Sequence, residues 1–353
     1  MRKTYVIIPV YRAELFLEEA VVSVLAQIHL KTEIILVDDG SPDRSGELCD
    51  ELARKHPGIF VLHQKNGGVS VARNTGIEYV LRKACKEDYI AFLDADDFWL
   101  PGLAPMEPMD TDLIAFSSAA CNQSGKRFRL LHRFSDDVME LGGGNLRWIN
   151  HGTFASFFYR VSLVQTFQLR FLEGVRENED VIFWRQASFC AKSVRFSSQV
   201  LYAYRHNTAS VTHSVRDNML HIPRAWHAAA AWANRVPCLS AEERLRWRQE
   251  CERICGARLL EAAWLMAAGG YSSETIRSEI LQDPLARHLY ELTLEDLAQW
   301  QREDLLLILD DVENLILRHR RRGMLLPLAQ SLLRLLPLRY VWEIYRFPLR
   351  SLT

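Results

Sequence analysis

The sequence predicts an α/β fold: a mostly parallel sheet with flanking helices, followed by a helical C-terminal region. Three observations predict it. Short apolar runs alternate with segments of helical periodicity through the first hundred residues, the pattern of βαβ units. Three of the first four apolar runs end in unusual polar chemistry, at Pro9-Val10-Tyr11, Asp38-Asp39 and Asp94 to Asp97, where open parallel sheets bind ligands. From about residue 216 the pattern becomes helical throughout.

The elements follow in order. Tyr5 to Pro9 is a short apolar run ended by proline, as expected of a buried strand. Leu17, Ala20, Val21, Val24 and Leu25 repeat at helical spacing and form one apolar face. Glu33 to Val37 is a second strand, closed by the turn-forming run Asp38-Asp39-Gly40-Ser41-Pro42. A helix near Ser45 to Lys55 and a strand near Ile59 to Leu62 come next. Gly67-Gly68 interrupts the chain before a helix over Ser70 to Lys86. Tyr89 to Leu93 is the fourth buried strand and runs into Asp94-Ala95-Asp96-Asp97. Residues 110 to 215 are mixed, with strands expected at Leu113 to Phe116 and Phe154 to Tyr159 and a loop at Gly142-Gly143-Gly144 between them. The domain boundary is expected near 215/216. A catalytic-type α/β domain then spans 1–215 and a helical domain 216–353.

Composition narrows the classes. Of the 353 residues 48% are apolar and 25% charged, enough for a large core and too apolar for wholesale disorder. The formal net charge of −1 argues against a nucleic-acid binder, which needs a strongly basic face. The start, Met1-Arg2-Lys3-Thr4-Tyr5, lacks the apolar stretch of a signal peptide. No apolar run approaches the roughly 18 residues of a membrane span. The seven cysteines are scattered without a CxxC pair, and Cys251 and Cys255 have the spacing of helix packing. A reducing, cytoplasmic setting is expected.

One acidic strand end is ordinary turn chemistry. Two, each a double aspartate after an apolar run, suggest a shared site for a cation or a sugar hydroxyl. No glycine fingerprint follows the first strand, where the chain reads Pro9-Val10-Tyr11-Arg12-Ala13. A dinucleotide-dependent oxidoreductase is thereby excluded.

Five segments together resemble a known family. Val6-Ile7-Ile8-Pro9-Val10-Tyr11, Ile35-Leu36-Val37-Asp38-Asp39-Gly40-Ser41, Asn66-Gly67-Gly68-Val69-Ser70-Val71-Ala72-Arg73-Asn74-Thr75-Gly76, Phe92-Leu93-Asp94-Ala95-Asp96-Asp97 and Glu179-Asp180 with Phe183 and Arg185 resemble, in order and spacing, the family 2 glycosyltransferases with a GT-A fold. Tyr202-Ala203-Tyr204-Arg205, with Ser210 after it, resembles the strand that closes their catalytic domain. The resemblance covers roughly residues 3 to 213 and is more specific for fold and chemistry than for the sugar.

The resemblance implies an inverting, metal-dependent transfer of a hexosyl or N-acetylhexosaminyl group. The donor would be a nucleotide-sugar, most often a UDP-sugar. The acceptor would be a hydroxyl of a glycan or lipid-linked molecule in bacterial surface-polysaccharide synthesis. It implies Mn²⁺ or Mg²⁺ at Asp96 with Asp94, hard cations that prefer carboxylate oxygens. Alternate residues after a strand point the same way, which suits Asp94 and Asp96 to one ligand. Asp94 also corresponds to the carboxylate on ribose or sugar, Ala95 lies in the same donor loop, and Asp97 orients its neighbours. Pro9 and Tyr11 correspond to the base-facing end of the first strand, with Tyr11 stacking on uracil or standing at the rim. Asp39 corresponds to the carboxylate on the base imide, with Asp38 as substitute; turn and cap bonds are the alternative for both. Gly68 allows close backbone approach, and Arg73 corresponds to an arginine near diphosphate or base. Asp180 corresponds to the general base and Glu179 to the residue that binds acceptor or holds that base. His206 or His213 would complete the metal site, or both are surface histidines. His151 beside Gly152 has no pattern behind it.

The tail 315–353 carries eight arginines and one acid, Glu343, with Leu332, Leu333, Leu335 and Leu336 followed by Trp342, Tyr345 and Phe347. Peripheral membrane contact, packing on residues 216–314 and dimerisation stand as its three readings. A catalytically lapsed scaffold of the same fold is the alternative function; such a chain would usually lack part of Asp94/Asp96 or Glu179/Asp180, and this one keeps both.

Overall fold

The computed structural model describes residues 2–104, 110–126, 128–141, 154–175, 177–206 and 221–268, with 274, 275 and 278. The loop Gly142-Gly143-Gly144, His151, Ser210, His213 and the basic tail lie outside the described residues. The chain divides into two compact units, Met1–Thr208 with Asn234–Glu243, and Ala209–Ala233 with Arg244–Thr353.

The first unit is α/β. Its opening elements are β1 (Lys3–Val10), α1 (Leu17–Leu25), β2 (Lys31–Asp38), α2 (Ser45–Lys55), β3 (Ile59–His63), α3 (Val69–Lys83) and β4 (Tyr89–Phe92). Each matches an expected element, with ends shifted by no more than three residues. The helix expected to reach Lys86 stops at Lys83 because Ala84 turns extended and the Asp88 carboxylate captures the Cys85 amide at 3.0 Å. The apolar face of α1 is buried through Leu17, Ala20, Val21 and Val24. Removing those side chains from water stabilises the fold by about 1.5–3 kcal/mol for each larger one.

The rest of the unit comprises β5 (Phe98–Trp99), β6 (Leu113–Cys121), β7 (Arg129–His132), β8 (Asp137–Glu140), β9 (Phe157–Arg160), α4 (Val161–Thr166), α5 (Glu179–Cys190) and β10 (Ser193–Arg205). The strand expected from Phe154 begins as a 3-10 turn over Phe154–Ser156.

Among the described residues ten strands form one sheet in the order β3-β2-β1-β4-β9-β6-β10-β5, with β7 on β6 and β8 on β10. β1 pairs in parallel with both β2 and β4, β2 with β3 and β6 with β10. β9 runs antiparallel between β4 and β6. The chain winds outward from β1 to β3 and then returns to place β4 on the other side of β1. The carboxyl ends of β1, β2 and β4 therefore border the place where the winding reverses, which is where open α/β sheets bind ligands.

An aromatic core underlies this edge. Phe92 on β4 packs against Phe154, Tyr159, Phe171 and Phe183, at 5.1–5.8 Å between ring centroids. Phe171 and Phe183 are stacked parallel at 4.2 Å. These rings seat α5 against the end of β4.

Further along the chain come α6 (His221–Ala230) in the second unit, α7 (Trp232–Arg235), whose last two residues count with the first unit, and the 28-residue α8 (Ala241–Ala268), which belongs to the second unit from Arg244. Trp247 donates through Nε1 to the Ala229 carbonyl at 3.0 Å and packs edge-on against Trp232. Cys251 and Cys255 are buried, and Cys255 Sγ donates to the Pro223 carbonyl at 3.0 Å. The two thiols pack, as their spacing suggests, and none of the seven cysteines is in a disulfide. Among the described residues no helix is long and apolar enough to cross a membrane.

Candidate active site

The end of β2 is held by its neighbours. Asp38 accepts the Ser41 amide at 3.0 Å and faces His63 Nδ1 at 2.9 Å. Burial alone would raise its pKa, but these partners outweigh burial and hold it below the usual value. Asp39 is 3% exposed. Its Oδ1 accepts the Gly67 amide at 2.8 Å and Gln64 Nε2 at 2.7 Å, and its Oδ2 accepts the Gly68 amide at 2.8 Å. The Asp39 amide in turn donates to the Val10 carbonyl at 2.9 Å. Gly68 caps α3 with φ near +90°, a conformation that favours glycine. The ends of β1 and β2 and the start of α3 are thus one bonded unit. At the end of β1 Pro9 is half-buried, while the Tyr11 ring is 45% exposed, with the Arg12 guanidinium 5.4 Å from its centroid.

Arg73, on α3, joins two further segments. Its Nη2 donates to Asp94 Oδ1 at 2.7 Å and its Nη1 to Glu179 Oε1 at 3.0 Å. The guanidinium lies between Phe154 and Phe171, 4.6 and 5.0 Å from their centroids. The flanking carboxylates keep it charged despite burial. Arginine suits the place because its planar fork reaches two carboxylates and stacks on rings at once. The next residue, Asn74, exchanges bonds of 2.9 and 2.8 Å with the Phe171 backbone and reaches Glu173 at 3.0 Å. This latch brings the loop before α5 onto α3.

Helix α5 opens at Asn178, whose φ of +66° is left-handed. Glu179 is 8% exposed and Asp180 is half-buried. Burial, then the charge of Asp180, pushes the Glu179 carboxyl up to about 7. Asp180 Oδ1 accepts the Val181 amide at 2.7 Å. The two carboxylates differ in environment: one is locked to Arg73, the other sits more openly at the helix start.

Behind the Asp94–Asp97 turn stands the end of β10. Asp97 is buried and accepts the Tyr202 hydroxyl and, at 2.6 Å, the Arg205 amide. Burial, then the charges of Asp96 and Asp94, raise its carboxyl well above the usual range. Arg205 Nε donates to the Asp96 carbonyl at 2.8 Å, Nη1 to the Gln123 carbonyl and Nη2 to Glu19 Oε2, both at 2.7 Å. Its guanidinium also lies 5.1 and 4.9 Å from the Phe16 and Phe98 rings. Asp94 and Asp96 stay half-buried in front of this clamp, with Ala95 buried between them.

Among the described residues no group of three or more His, Cys, Asp or Glu side chains is disposed to enclose a metal ion. Two carboxylates at one turn are nonetheless the hard-oxygen set that Mg²⁺ or Mn²⁺ takes when substrate phosphates complete its shell. The donor set therefore fits such an ion. His206 is exposed, and its amide donates to the Cys121 carbonyl at 2.9 Å.

Arg73, in the second turn of α3, brings Asp94 and Glu179 into one cluster, and Gly67 and Gly68 just before the helix supply the amides on Asp39. Of the supports, Gln64 has no place in the sequence reading, whereas Asn74, Tyr202 and Arg205 stand within segments that carry the resemblance without a role of their own there; only their partners, distant in sequence, disclose what they hold.

Residues 5–167 match the model of glycosyl transferase family 2. The chain is 33% identical over 218 residues to the uncharacterized glycosyltransferase EpsJ of Bacillus subtilis, covering 59% of this chain and 62% of that protein. It is 28% identical over 222 residues to the glycosyltransferase GlyG of Streptococcus pneumoniae, covering 58% and 71% respectively. The chain spans about three fifths of the length of EpsJ. Among solved structures, residues 1–349 of S. aureus TarS in complex with UDP-GlcNAc share the fold, with a TM-score of 0.64 over 91% of this chain and 92% of that one at 17% identity. The α/β unit thus carries the match to glycosyl transferase family 2 on a fold shared with TarS.

Proposed function

We propose that this chain is an inverting glycosyltransferase that moves a sugar from a nucleotide-sugar, a UDP-sugar, to a hydroxyl of a glycan or lipid-linked acceptor. The observation that carries the reading is the Asp94–Arg73–Glu179 bridge, which ties the Asp94 carboxylate after β4 to the start of α5. The match to family 2 supports the chemistry, and the fold shared with TarS, whose structure holds UDP-GlcNAc, supports the choice of donor.

In this reading Pro9, Tyr11 and Asp39 take the base, with Asp38 holding the turn. Gly68 and Ala95 let the donor approach the backbone. Asp94 meets the ribose or sugar. A divalent cation, Mn²⁺ or Mg²⁺, held by Asp96 and Asp94 would neutralise the diphosphate as it leaves. Asp180 takes the proton of the acceptor hydroxyl as its oxygen bonds to the anomeric carbon. The bond from that carbon to the diphosphate breaks from the opposite face, with inversion. Glu179, clamped by Arg73, holds Asp180 in place. A single displacement needs one base, unlike the carboxylate pair of a hydrolase. We place the catalytic domain at 1–215 and the helical domain at 216–353. The arginine-rich tail is proposed to meet the membrane face where a lipid-linked acceptor lies, and deletion of 324–353 should then abolish binding to anionic liposomes.

The experiment is a donor screen over UDP-, GDP- and dTDP-sugars with Mn²⁺, read by calorimetry and turnover. Asp180→Asn should bind donor as wild type does and lose about 10²-fold or more in transfer rate. Asp96→Ala should lose metal-dependent turnover. Full activity in Asp96→Ala would remove the metal assignment, and an unimpaired Asp180→Asn would move the base elsewhere.

A further inference from the structure

We infer that Gln64 is a positioning residue for nucleobase selection, locking the Asp39 carboxylate in the orientation that reads a ring N–H. The inference rests on the proposed role of Asp39 in the donor site.

A carboxylate offers about four lone-pair directions. In Asp39 three are filled: Oδ1 takes the Gly67 amide and the Gln64 side chain, and Oδ2 takes the Gly68 amide. One direction remains, on Oδ2. An acceptor-only group with a single vacancy accepts the ring N–H of uracil, thymine or guanine. It repels cytosine, whose corresponding ring nitrogen is itself an acceptor. Selection of this kind depends on the carboxylate not turning about its own axis.

Gln64 provides that restraint. Its Oε1 accepts the Thr75 hydroxyl from α3 at 2.7 Å. Its Nε2 donates to Asp39 Oδ1 at 2.7 Å. Its own amide donates to the Asp38 carbonyl at 2.9 Å. The side chain therefore spans β2 and α3 with both ends bound. The amide orientation is fixed by chemistry as well: an ionised aspartate only accepts, so the NH₂ end must face it. Without this strut, Asp39 keeps only the two glycine amides of an exposed loop.

The test compares UDP and CDP binding by calorimetry in wild type, Gln64→Leu, Thr75→Val, Gln64→Glu and Asp39→Asn, with thermal melts of each. Gln64→Leu should weaken UDP about ten-fold and leave CDP unchanged, so the UDP:CDP ratio falls. Donor KM should rise with kcat held, because the base is remote from the reacting carbon. Thr75→Val should do the same to a smaller extent. A merely structural loss would weaken both nucleotides together. Gln64→Glu adds a diagnostic pH profile. At low pH the two carboxyls share a proton and the strut survives; at high pH they repel, so UDP affinity falls as pH rises, a trend absent in wild type. A wild-type UDP:CDP ratio in Gln64→Leu, with a reduced ratio in Asp39→Asn, overturns the role of Gln64 alone. An unchanged ratio in Asp39→Asn overturns the base-reading role of Asp39 and the inference with it.

Discussion

Arg73 shows how one side chain decides the chemistry of its neighbours. Enclosed by two phenylalanine rings and bonded to Asp94 and Glu179, it leaves the buried Glu179 charge only partly compensated. Glu179 therefore titrates near 7 in the folded chain against an ordinary value of 4.5. Between those pH values the folded state holds the extra proton, so this group makes stability fall as pH rises. Glu179→Gln removes that dependence. Its melting temperature relative to wild type should increase from pH 5 to pH 8, and a constant difference would contradict the raised pKa. At this scale the acidic residues were legible because strand ends and a helix start flag them. The rings around Arg73 were not, since nothing local to residue 73 names Phe154 or Phe171.

At the scale of elements, α3 organises the site: the glycine pair just before it, Gly67 and its N-cap Gly68, supplies the amides on Asp39, and its second turn supplies Arg73. Its seat on β1 depends on Gly76, where an added Cβ would lie 2.5 Å from Ile7 Cγ2. The branched Ile7 is fully buried and cannot yield cheaply. Gly76→Ala should cost about 1–3 kcal/mol in denaturant unfolding. Pairing it with Ile7→Ala should cost less than the sum of the two single changes, and strict additivity would contradict the close approach. The first seven elements were legible because apolar runs and helical repeats are local signals. The latch from Asn74 to Phe171 was not, because it spans 97 positions. The left-handed entry to α5 at Asn178 was also hidden, being a property of backbone that residue type alone does not dictate.

On the scale of the whole molecule, the account depends on the sheet order. The βαβ rhythm predicted parallel neighbours, and the reversal between β1 and β4 follows from three strands winding one way and the fourth returning. Insertion of the antiparallel β9 between β4 and β6 was not legible, since pairings so far apart in sequence leave no local periodic trace. That insertion carries Phe154 and Tyr159 to the flank of β4 and so brings α5, with Glu179 and Asp180, beside the Asp94 turn. The central claim is that the ends of β1, β2 and β4 and the start of α5 form a single donor and transfer site. The crystal structure of a complex with a UDP-sugar and Mn²⁺ tests it most directly. The account predicts uracil against Asp39, the diphosphate and cation at Asp96, and the sugar between Asp94 and Asp180; a nucleotide bound away from these carboxylates would contradict it.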